Sequence, residues 1–76
     1  EFDGAVECFR RALALDPEYA TCRYNLGLAL SKAGKPDEAA AEFGRVVAKE
    51  PENDAAWTNL GIARSKAGNT AGAADA

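Results

Sequence analysis

The chain has 76 residues, a formal net charge of −3 and a hydrophobic fraction of 47%, half of it alanine. With no His and two Cys it can build neither a four-ligand zinc site nor a His-based nucleophile pair, and its acidic balance disfavours phosphate binding. No run of about 18 apolar residues occurs, so no segment reads as a membrane span.

In chain order, Phe2, Ala5, Val6, Phe9, Ala12 and Leu13 recur at helical spacing and predict a helix over residues 2–15. Cys22, Leu26, Ala29, Leu30 and Ala33 predict a second over 20–33, with Gly34 supplying the positive φ of a helix end. Pro36 suits the first turn of a third, whose stripe is Ala39, Ala40, Phe43, Val46 and Val47, and Pro51 forbids its continuation. Residues 54–67, with Trp57, Leu60, Gly61 and Ile62, predict a fourth helix, and residues 70–76 the start of a fifth. The chain opens at Glu1 inside a helical pattern, so it is expected to be a segment of a longer array.

The order repeats itself. Shifted by 34 residues, 17 of the 42 overlapping pairs are identical. They include Asn25-Leu26-Gly27 with Asn59-Leu60-Gly61, Ser31-Lys32-Ala33-Gly34 with Ser65-Lys66-Ala67-Gly68, Phe9 with Phe43, and Pro17-Glu18 with Pro51-Glu52. Matches at fixed, scattered offsets mark a structural repeat. A helix–turn–helix of this period resembles the tetratricopeptide repeat. The middle repeat offers Arg23, Leu26, Gly27, Leu30, Ala39, Phe43, Val46 and Pro51 to that family's signature. The next offers Trp57, Leu60, Gly61, Arg64 and Ala73, and the first half repeat offers Ala5, Phe9, Ala12 and Pro17. Arg23, Arg64 and Val46 depart from it and are expected to weaken packing locally.

The resemblance implies an all-α, right-handed α-solenoid of antiparallel hairpins, about two repeats and five helices including a terminal stub. Residues 1–19 would be the second helix of an incomplete repeat, 20–53 a complete repeat, and 54–76 a first helix with a partial second. Leu26, Leu60, Phe9, Phe43, Gly27, Gly61, Ala39 and Trp57 are expected to be largely buried at helix interfaces. Cys8 and Cys22 are expected to be reduced, semi-buried thiols.

The resemblance also implies that the first helix of each hairpin lines a concave groove. Its candidate peptide-binding residues are Thr21, Tyr24, Asn25, Leu28 and Lys32 on one helix, and Thr58, Asn59, Ile62 and Lys66 on the other. An Asn amide both donates and accepts, which suits the backbone of an extended peptide. Each Lys lies two turns beyond its Asn and suits an acidic side chain or a C-terminal carboxylate. The plainer readings are a solvated scaffold Asn and a Lys favourable to the helix dipole. Tyr24, Leu28 and Ile62 are either groove floor or contacts to a neighbouring helix. The family's carboxylate clamp for chaperone C-termini calls for Lys and Asn where Tyr24, Leu28, Thr58 and Ile62 stand, so no clamp is expected.

The partner expected from this reading is a protein or peptide, acidic in character, with neither nucleic acid nor membrane and with no cofactor or metal. No enzyme follows from these residues. The alternatives are a spacer or self-association module, or an accessory segment of a larger enzyme such as a glycosyltransferase. Phe2, Val6 and Phe9 at one end are expected to be uncovered, and residues 70–76 carry no Phe at the place matching Phe9 and Phe43. The ends are therefore expected to fray at 70–76 or to associate with one another.

Overall fold

The computed structural model describes the backbone of residues 2–75 and the side chains of residues 4–68. Four helices follow one another: α1 (Phe2–Leu15), α2 (Ala20–Lys32), α3 (Pro36–Lys49) and α4 (Asp54–Asp75). Each packs chiefly on its neighbour in sequence. The molecule measures 41 × 30 × 15 Å, the flat stacking of an α-solenoid rather than a globule around one centre.

Local chemistry sets the helix ends. Pro17 follows α1, and the Asp16 carboxylate accepts from the Glu18 N–H at 3.2 Å to hold the turn. Gly34 takes φ +82 after α2, and the Lys35 N–H reaches back to the Leu30 carbonyl at 2.9 Å, closing a Schellman-type end. Pro36 opens α3, with Asp37 and Glu38 at the positive end of its dipole. The Asn53 side chain caps α4 by accepting from the Ala56 N–H at 3.0 Å.

One continuous apolar layer runs between the helices. Leu30, Ala39 and Ala56 are fully buried, and Leu26, Phe43, Val46, Leu60 and Ala63 nearly so. The closest approach is at Gly27. A Cβ placed there would meet the Phe43 ring at 2.7 Å, so only a glycine backbone fits beneath that ring.

The expected five helices are four. Gly68 stands where Gly34 does, yet α4 continues through it to Asp75. The difference lies two residues on: Pro36 has no N–H and disfavours helix in the residue before it, whereas its counterpart Thr70 imposes neither restriction. The expected fraying of 70–76 concerns side chains outside those described.

The expected core is also corrected at the outer helices. Trp57 is 47% exposed and Gly61 is exposed, with nothing within 4 Å of a Cβ built on it. Phe9 is half-buried against the core, where its counterpart Phe43 is enclosed. Likewise Ala5 and Ala12 are half-buried while Ala39 and Val46 are enclosed, and Arg64 is exposed where Leu30 is enclosed. The reason is the same throughout: among the described residues no helix lies over these faces of α1 and α4. Val6, expected to be uncovered, is buried, and Cys8, expected to be semi-buried, is exposed. Cys22 is a buried free thiol whose Sγ donates to the Phe9 carbonyl at 3.5 Å. Burial pushes its pKa up, against a smaller pull down from the Arg23 guanidinium.

Arg23, in the place of the signature's Trp, makes polar contacts there. It donates to Glu42 at 2.9 Å and to the Pro17 carbonyl at 2.9 Å, tying α2 to α3 and to the preceding turn. The Trp57 indole N–H makes the equivalent bond one repeat later, to the Pro51 carbonyl at 2.8 Å. Glu42 is buried, and Arg45 approaches its other oxygen at 3.6 Å. The pair thus satisfies a carboxylate that burial alone would penalise.

Two stability measurements check this packing. In urea denaturation, Gly27→Ala should destabilise by about 1–3 kcal/mol through overpacking against Phe43. Gly61→Ala, with open space around it, should instead stabilise by about 0.5–1 kcal/mol through helix propensity. Equal effects at the two glycines would contradict the asymmetry. Arg23→Met should cost about 2–4 kcal/mol by stranding Glu42, with Arg45 limiting the loss. The double change Arg23→Met with Glu42→Leu should recover most of it; a double variant as weak as the single would show that the ion pair itself stabilises.

Candidate functional site

α2 and α4 present corresponding residues along one face because Thr21, Tyr24, Asn25, Leu28 and Lys32 recur one period later as Ala55, Thr58, Asn59, Ile62 and Lys66. Their surroundings differ. The Tyr24 and Phe43 rings meet in a T-shaped arrangement, with centroids 5.6 Å apart and planes at 65°. Its hydroxyl accepts from Asn59 Nδ2 at 2.8 Å. The Asn59 amide also donates to the Ala55 carbonyl at 3.0 Å, so both its N–H groups are engaged and its carbonyl oxygen remains as acceptor.

Asn25 stands in the same place on α2 and makes no hydrogen bond through its side chain to any described residue. It lines a hollow of about 250 Å³ with Ala5 and Phe9 of α1 and with Leu28, Ala29 and Lys32 of α2. Leu28 is half-buried on the core, while Lys32 is exposed at the rim. The hollow is the repeat counterpart of the seat that Tyr24 occupies, since Phe9 and Asn25 answer to Phe43 and Asn59.

Thr21 and Thr58 are exposed, Ile62 is 46% exposed, and Lys66 is exposed. The structure therefore brings Asn25, Leu28 and Lys32 together around one hollow and joins Tyr24 to Asn59. Thr58, Ile62 and Lys66 do not line that hollow.

A larger hollow, about 330 Å³, lies away from this face between the α1–α2 turn and the end of α3, lined by Pro17, Ala20, Arg23, Arg45, Ala48 and Lys49. Its cations already have partners: Arg23 and Arg45 share Glu42, and Lys49 pairs with Glu18. It is where Arg23 stands in the place of the family's bulky Trp, a packing feature with no uncommitted polar group. Size alone therefore does not make it the functional site.

The pairing of Arg23 with Glu42 escaped the sequence reading, although a buried position flanking Phe43 and occupied by Glu was a signal that a cation must lie opposite. The bond between Tyr24 and Asn59 left no such signal, because it joins residues 35 apart on unlike side chains.

A TPR repeat model matches residues 1–34 and a tetratricopeptide repeat model matches residues 24–76. A search of curated proteins finds no match to the chain. Between them the two repeat models span the whole sequence, with the helical stacking and the Gly27–Phe43 contact described above. The chain belongs to the tetratricopeptide-repeat family, whose repeats are generally non-catalytic protein-interaction modules.

Proposed function

We propose that the face shared by α2 and α4 is a concave binding groove for an extended peptide or partner helix. The observation that carries this reading is the hollow beside Asn25: an apolar floor of Phe9, Leu28 and Ala29, an amide at its side and the Lys32 ammonium at its rim. Such a site suits a peptide that inserts an apolar side chain, pairs its backbone amide with Asn25 and sets a carboxylate near Lys32. Asn59 contributes an acceptor for a peptide N–H, its own N–H groups being engaged by Tyr24 and Ala55. Thr21, Thr58, Ile62 and Lys66 extend the groove along the same helices.

A second role, self-association, is supported by a separate observation: Phe9 is only half-buried and Gly61 is open, although their counterparts Phe43 and Gly27 are buried against each other.

The groove is tested with fluorescent peptides carrying one Leu or Phe followed by acidic residues, and with matched peptides in which Gln and Asn replace the acids. The acidic peptides should bind more tightly. Asn25→Ala should lower their affinity about three- to tenfold, the worth of about one hydrogen bond, with helicity unchanged. Lys32→Glu should abolish the preference for acidic peptides. Equal binding by the wild type and the double variant would move the site off this face.

A further inference from the structure

We infer that Tyr24 is a specificity-determining residue of the groove: its hydroxyl donates to a ligand carbonyl while Asn59, which it holds in place, accepts from a ligand N–H. The pair thus reads one residue of extended backbone. This rests on the groove reading proposed above and chooses between its two occupants, the extended peptide over the partner helix.

The direction of each proton follows from one fixed point. The Ala55 carbonyl can only accept, so the group of Asn59 that meets it at 3.0 Å is the NH2. The same NH2 reaches Tyr24 Oη at 2.8 Å, so that oxygen accepts and its own proton is turned elsewhere. No described residue takes that proton. The relay therefore ends in two groups of opposite kind, the Tyr24 O–H as donor and Asn59 Oδ1 as acceptor. Bonds in such a chain polarise one another, which strengthens the O–H as a donor.

Both partners are held. The Tyr24 ring packs against Phe43, itself against the Gly27 backbone, and Asn59 is tied to its own helix through Ala55. The bond between them joins α2 to α4 directly, so the pair sits between two described helices, and both residues are half-buried rather than enclosed. Under the 34-residue period Tyr24 is answered by Thr58, so the pair belongs to this junction and not to the repeat as such.

A donor and an acceptor side by side match a residue in extended conformation, which presents its N–H and its C=O on the same edge, as in the hydrogen-bonded pairs of an antiparallel ladder. A helix has no such pair to offer on its flank, because its N–H and C=O groups bond within it. A carboxylate brings only acceptors, one of which Asn59 Oδ1 would repel. The pair therefore sets backbone at this place and leaves acidic side chains to Lys32 on the same helix.

The test uses the fluorescent acidic peptide carrying one Leu, made as a series in which each backbone N–H in turn is replaced by an ester oxygen. Each ester deletes one donor and weakens, as an acceptor, the carbonyl of the residue before it. In the wild type, esters at two consecutive positions should lower affinity. The first removes the N–H that Asn59 accepts and should cost about three- to tenfold, the worth of about one hydrogen bond. The second weakens the carbonyl that Tyr24 donates to and should cost less. Tyr24→Phe keeps the ring on Phe43 and removes only the hydroxyl. It should weaken the all-amide peptide about three- to tenfold, with helicity unchanged by circular dichroism, and make the second ester no worse than the amide. The same peptide locked as a helix by a side-chain staple should bind more weakly than the unlocked form. Three results would each overturn the inference and leave the groove standing: Tyr24→Phe binding as tightly as the wild type, Tyr24→Phe keeping its sensitivity at both ester positions, or the helix-locked peptide binding more tightly. Binding unchanged by Asn25→Ala with Lys32→Glu, or a wild type that binds none of the peptides, overturns the groove reading and this inference with it.

Discussion

A phenyl ring lying on a helix backbone leaves no room for a side chain beneath it. That constraint, Phe43 on Gly27, sets how closely α2 and α3 approach, and the rest of the fold is arranged about it. Leu26, Leu30 and Val46 close around the contact because the backbone there is already near. The same ring meets Tyr24 in a T-shaped contact, and the Tyr24 hydroxyl meets Asn59 on α4. One aromatic side chain thus ties the interior of a hairpin to the face that the next helix presents.

This tie makes identical residues chemically unequal. Asn25 and Asn59 occupy the same place in successive repeats, yet Asn59 spends its N–H groups on Tyr24 and Ala55 while Asn25 lines a hollow. The distinction comes from what lies beside each amide, Tyr24 in one case and, among the described residues, a hollow in the other. In a stack of near-identical units, function of this kind is set by neighbours as much as by the residue itself.

Much of the fold was legible because the period carries two independent signals, the spacing of apolar residues and the placement of turn residues. Helix α3 could be bounded from Pro36 and Pro51 alone. Helix α4 could not, because Gly68 looks like Gly34 until Thr70 is compared with Pro36. The burial of Trp57 and Gly61 was misread because a repeat signature describes a residue inside a stack, and these face outward from the last of the described helices. Of the site, the face and its residues were legible from the period. The engagement of Asn59 and the pairing of Arg23 with Glu42 were not, since both depend on side chains brought together across helices.

The constraint at Gly27 is tested most directly by proton NMR in dilute solution. A ring this close shifts the resonances of the protons beside it, so the Hα resonances of Gly27 should be displaced by the Phe43 ring current from those of Gly61, though both are helical glycines in the same sequence context. Replacing Phe43 by Leu should return them to the Gly61 position. Gly27 and Gly61 resonances that coincide in the wild type would contradict the account, because the ring would then not rest on that backbone.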